Sequence, residues 1–83
     1  MELTLVTPVN YEIKVQGWLD ETWSDWMSGM QIKVYIPEGK KPVAILNGRL
    51  KDQSELLGVL NNLYELHLPI LSVSVVSQNN SGF

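Results

Sequence analysis

Apolar and polar residues alternate along several stretches of this chain, and the alternation marks out strands. In residues 11–16, Tyr11, Ile13 and Val15 fall on one side and Glu12, Lys14 and Gln16 on the other. That is the period of a half-buried strand, and Gly17 ends it. Upstream, Leu3 and Leu5 alternate with Glu2 and Thr4, and Pro8 and Asn10 separate this segment from the first strong strand. Residues 1–10 therefore read as an edge strand or as an arm lying on a neighbouring protomer. Residues 31–36 alternate again, with Ile32, Val34 and Ile36 opposite Gln31, Lys33 and Tyr35. Pro37-Glu38-Gly39-Lys40-Lys41-Pro42 follows as a hairpin turn, because Pro and Gly supply the backbone angles of a reversal. Val43 to Asn47 is apolar on both sides, which predicts a central strand or one covered on its second face. In the last strand, residues 70–77, Leu71, Val73 and Val75 stand opposite Ser72, Ser74 and Val76.

Two segments carry the helical period instead. Asp20 can cap a short helix running to Ser28; Glu21 suits the positive end of its dipole, and Gly29 closes it. Trp23, Trp26, Met27 and Met30 follow a 3–4 spacing there. The second helix opens on Asp52-Gln53-Ser54-Glu55, a capping box in which Glu55 reaches back to the cap. Leu56, Val59, Leu60, Leu63 and Leu66 form its apolar stripe, widened by Leu57 and Tyr64. Asn61, Asn62 and Glu65 lie on the wet side, and the helix is expected to end near Leu66, ahead of Pro69.

The order is strand, short helix, strand, strand, long helix, strand. It predicts an α+β fold, a ferredoxin-like βαββαβ sandwich with both helices on one face of an antiparallel sheet. The first helix is shortened and Trp-rich, the long one lies in the C-terminal half, and residues 11–77 make a single domain. Residues 78–83 are polar and read as a flexible tail.

Composition narrows what such a domain can do. A chain of 83 residues has room for one core, and buries only about 60–65% of its unfolded surface. Disulfides, thiolate chemistry and cysteine-ligated metals are removed by the absence of Cys, and a His-rich metal site by the single histidine, His67. Oligomerisation remains as the stabiliser open to a small domain. Six basic residues against nine acidic give a net charge of −3, and the cations are scattered. Nucleic-acid binding needs a concentrated positive footprint, so it is not expected. No apolar run approaches the ~20 residues that span a bilayer. Met1 to Pro8 has neither the basic start nor the cleavage site of a signal peptide, so a cytoplasmic protein without membrane contact is expected.

Candidate chemistry is sparse. His67 reads as a helix-terminal residue at the negative end of the dipole. A general-acid role would need a pocket and a partner that the sequence does not offer. Asp20, Glu21 and Asp25 are explained by helix capping and solubility; their spacing matches no hydrolase or calcium loop. Gly48 and Gly58 have no phosphate-cradling pattern around them; Gly58 weakens its helix, a cost that close approach of another backbone, from the other helix or a second protomer, would offset. No catalytic, cofactor or metal-binding residue is assigned.

The tryptophans are the exception. Trp18, Trp23 and Trp26 fall within nine residues. Each can bury about 150–250 Å², or roughly 4–6 kcal/mol gross. A small domain cannot leave all that in water, so most are expected in the core, filling in for the short helix. The remaining one, Trp18 or Trp26, would line a groove or anchor a partner. The candidate contacts for a partner or ligand are thus Trp18, Trp23, Trp26, Met27 and Tyr35.

Four stretches carry a resemblance. They are Tyr11-Glu12-Ile13-Lys14-Val15-Gln16-Gly17-Trp18-Leu19, Trp23-Ser24-Asp25-Trp26-Met27, Asp52-Gln53 with Leu56 to Leu60, and Leu68-Pro69-Ile70-Leu71-Ser72-Val73. Over residues 11–76 the chain resembles a group of short bacterial proteins without an assigned function. The resemblance implies glycine at the position of His67, a helix end where a left-handed residue is common. It brings no activity with it. The expectation is a non-enzymatic module that self-associates, with a homodimer the simplest form. Sensing of a small apolar or aromatic molecule between the Trp turn and the long helix comes second, and a small oligomeric enzyme without a recognisable motif third.

Overall fold

A computed structural model describes residues 9–76. The expected arm falls mostly, and the tail entirely, outside them. In chain order the elements are β1 (Val9–Gln16), a 3-10 helix (Glu21–Met27), β2 (Gln31–Tyr35), β3 (Val43–Leu50), α1 (Gln53–Glu65) and β4 (Ile70–Val76). The four strands form one sheet in the order β2-β3-β1-β4, and every neighbouring pair is antiparallel. The fold is therefore α+β, one antiparallel sheet with two helical segments.

The ladder fixes the two faces. Ile13 stands opposite Leu46 on β3 and Val73 on β4, and Leu46 in turn opposite Ile32 on β2. Side chains directly across a ladder share a face, so this row runs the full width of the helix side. Tyr11, Ile13, Val15, Ile32, Ala44, Leu46 and Leu50 are buried there with Val59 and Leu63 of α1. The other face carries Glu12, Lys14 and Gln16, with Val43 and Ile45 of β3 beside them. β3 is internal, as its double-sided apolar run requires. β1 begins two residues ahead of its clean alternation: Val9 and Asn10, expected in the arm, pair with Leu50 and Arg49.

The helix ends show how local chemistry sets the boundaries. Asp52 accepts a hydrogen bond from the Glu55 amide at 2.9 Å, as a cap should. The reciprocal bond differs from the expected box, since Glu55 Oε1 accepts from the Lys51 amide at 2.9 Å, one residue further out. At the other end His67 takes the left-handed conformation, with φ 61. Its amide donates to Tyr64 O and that of Leu68 to Leu63 O, a Schellman closure. Leu68 also packs against the core, supplying the apolar contact that accompanies this motif. Pro69 follows immediately, and its carbonyl accepts from Gln16 to start the β4 side of the sheet.

Gly48 and Gly58 differ in what stands over them. A Cβ on Gly48 would lie 3.0 Å from Met30 Cγ and 3.1 Å from Met30 Cα, so glycine is what lets Met30 settle on β3. Gly58 has nothing within 4 Å of where its Cβ would be. The other helix therefore makes no close approach at Gly58, and within the described residues its helix-weakening effect has no packing return.

Gly58→Ala is therefore expected to stabilise the domain by about 1 kcal/mol. His67→Gly, relieving a left-handed side chain, is expected to stabilise it by up to about 1 kcal/mol. Urea denaturation followed by far-UV circular dichroism reads both; a loss of stability in either variant contradicts the corresponding geometry.

Candidate functional site

The Trp turn is built by its caps. Asp20, in extended conformation, accepts from the Thr22 amide at 3.3 Å and starts the 3-10 helix. The amides of Ser28 and Gly29 both reach back to Ser24 O, and Ser28 itself is left-handed. The turn thus closes on two consecutive left-handed residues, where the sequence pointed to Gly29 alone. Ser24 Oγ then donates to Met30 O at 2.7 Å and ties the turn to the start of β2.

A 3-10 helix has three residues per turn, so residues i and i+3 stack in one column. Trp23 and Trp26 are such a pair, and their rings meet edge to face at 5.2 Å and 77°. Trp23 is half-buried against the core, whereas Trp26 is 56% exposed and Trp18 is 63% exposed. The expectation that most tryptophans fill the core is therefore overturned. Leu19, Met27 and Met30 fill it instead, each at most 2% exposed. The reason is room. Met is unbranched and adapts to an irregular gap, while an indole is larger and rigid and fits such a gap less readily.

The predicted contact residues consequently separate. Trp18, Trp23 and Trp26 remain neighbours. Met27 is fully buried and can touch no partner. Tyr35 pairs with Val43 and lies on the opposite face of the sheet. Beside Trp18 is a groove of about 400 Å³, lined by Asp20, Glu21, Ile32, Lys33 and Val34. Between the Trp turn and the helix end, Trp18, Leu19, Trp23, Leu66 and Leu68 enclose only about 140 Å³. That second space is well below the ~300 Å³ at which ligand pockets begin.

A different surface carries the larger anomaly. Val73 and Val75 stand opposite Ile13 and Tyr11, which are 0% and 6% exposed, yet they are themselves 42% and 61% exposed. The helix layer thus stops between β1 and β4. Leu71, on the same side by alternation, is 52% exposed. On α1, Leu57 and Tyr64 are 59% and 74% exposed. Sequence reasoning placed both in the buried stripe. Asn62 shows which way they face, because its side chain donates to Trp26 O at 2.8 Å and so turns that flank of α1 toward the 3-10 helix. Leu57, Leu60 and Tyr64, at spacings of three and four, run along the other flank, on the β4 side. An exposed apolar strip therefore combines one flank of α1 with the helix side of β4. Its sequence signal was an apolar stripe too wide for one helix to bury.

The titratable residues assemble nothing comparable. His67 is exposed at its turn, and among the described residues no three His, Cys, Asp or Glu side chains cluster as metal ligands would. Nor is any helix among them long and apolar enough to cross a membrane.

The model of one protein family, the domain of unknown function DUF8691, matches residues 10–74. The chain belongs to this family. The match runs from β1 into β4 and so takes in the Trp turn, α1 and most of the exposed strip. No curated protein and no solved structure matches the chain.

Trp18→Ala is expected to change stability by less than about 1 kcal/mol, as for other exposed positions. Met27→Ala is expected to cost roughly 2–5 kcal/mol by opening a cavity. Chemical denaturation of the two variants side by side checks the assignment; a larger loss for Trp18 would reverse it.

Proposed function

We propose that this protein is a small non-enzymatic interaction module that pairs with a second copy of itself. The observation that carries the reading is the uncovered helix side of β4, where Val73 and Val75 continue rows whose members on β1, Ile13 and Tyr11, are buried, with exposed Leu71 beside them at the register shift. An apolar strip beside a working core is what a domain too small to cover its own sheet presents to a partner. The strand order, all antiparallel, supports reading the fold as ferredoxin-like with a reduced first helix. A sandwich of that kind normally sets a full helix where this chain has a 3-10 turn.

A second reading, capture of a small apolar or aromatic molecule, is favoured by the groove beside Trp18. Its volume of about 400 Å³ is within the range of ligand sites. Thermal-shift screening addresses it, since any specific ligand raises the melting temperature by mass action.

For self-association the test is solution mass from micromolar to high micromolar concentration, by sedimentation velocity. The expected result is a concentration-dependent dimer. Val75→Lys, which puts a charge on an exposed position of the strip, is expected to weaken it at least about tenfold, or ~1.4 kcal/mol. A strict monomer at high micromolar concentration overturns the proposal.

A further inference from the structure

The two edges of the sheet are not equivalent. β2 has five residues, carries Lys33 at its middle and is followed by Pro37, all features that discourage strand addition. β4 has seven residues, Ile70-Leu71-Ser72-Val73-Ser74-Val75-Val76, with no charge and no proline, and among the described residues it is hydrogen-bonded on one side only. Its one irregularity is a register shift at Leu71, which lies between Ser72, opposite Lys14, and Ile70, opposite Val15; a bulge blunts an edge locally, so the regular stretch is Ser72 to Val76. An edge left this open is a template for another strand.

The strand is also complementary to itself. We infer that two copies join through β4, antiparallel, with Val73 opposite Val73 of the second copy, so that the two sheets become one. This rests on the self-association proposed above and specifies its geometry. In that register Leu71 faces Val75 and Ser72 faces Ser74, apolar against apolar on the helix side and hydroxyl against hydroxyl on the other. Cross-strand pairs of like character are the ones that stabilise a ladder. Moving the centre to Ser74 sets Ser72 against Val76 and loses Leu71 from the apolar row. A shift by one residue sets Val73 against Ser74, which would need the two copies to present opposite faces. A second copy fits better than an unrelated strand because the same residues supply both halves of every pair.

The chain has no cysteine, so single-cysteine variants of the full protein report contacts cleanly. Paired strands hold facing Cα atoms at about 4.5–5.5 Å, within disulfide range. Under mild oxidation Val73→Cys is expected to form an intermolecular disulfide with itself, roughly tenfold or more faster than Ser72→Cys or Ser74→Cys alone. An equimolar mixture of Ser72→Cys and Ser74→Cys is expected to cross-link heterotypically, and these exposed or half-buried positions test the register independently of Val73. Rapid self-linking of Ser74→Cys, or of Tyr64→Cys without Val73→Cys, in a protein that is dimeric by mass overturns the register while leaving self-association standing. A protein monomeric by mass overturns both. Slow, unselective cross-linking at every position in a dimer places the interface elsewhere and likewise overturns the inference.

Discussion

The width of the helix layer governs this structure. An α-helix with its side chains is about 10–12 Å across and strands are spaced about 4.8 Å apart, so one helix covers roughly two strands. A four-stranded sheet needs two such helices on its covered face. Among the described residues there is one, α1, supplemented by seven residues of 3-10 helix. The shorter segment packs on β2 and α1, and α1 packs on β3 and on that segment. Three strands receive cover on the helix side; the fourth receives little. Almost every unusual exposure in the molecule follows from that shortfall.

The same shortfall explains the interior beneath the Trp turn. A seven-residue segment anchored at Asp20 and closed at Ser28 offers few inward positions, and Met27 takes the deepest. Met30, just after the turn, is seated over Gly48, and Leu19, just before it, completes the fill. The indoles are displaced outward, held by the Trp23–Trp26 contact and by the bond from Asn62 to the Trp26 carbonyl. The orientation of α1 about its own axis is set by buried Val59 and Leu63, and that bond is consistent with it. Leu57 and Tyr64 lie on the flank away from the 3-10 helix. The Trp turn and the β4 strip, on opposite sides of the domain, are thus linked through the rotation of a single helix.

Sheet topology then decides what the exposed strip can serve. β4 is at once the least covered strand and an edge, and its edge carries neither charge nor proline. Burial of its apolar row and satisfaction of its free backbone groups can be met by the same event, the arrival of another strand. At β2 the situation differs: its core-side residue Ile32 is buried, Val34 is half-buried, and Lys33 protects the edge.

Much of this was legible in the residues themselves. Period-two alternation located β1, β2 and β4, the double-sided apolar run marked β3 as internal, and Asp20, Asp52 and the Leu66–Pro69 segment set the helix limits. Each of those depends on neighbours a few positions away, through backbone geometry that a sequence writes directly. The fates of Trp18, Trp26, Leu57, Tyr64 and Val75 were not legible. Whether an apolar side chain is buried depends on what stands over it, and that is decided by helix width, strand order and the rotation of α1. The chain thus determined its elements, their caps and the inward face of the sheet. Only the tertiary structure decided that the helix layer ends one strand short, because coverage is a property of how elements are stacked and not of any element alone.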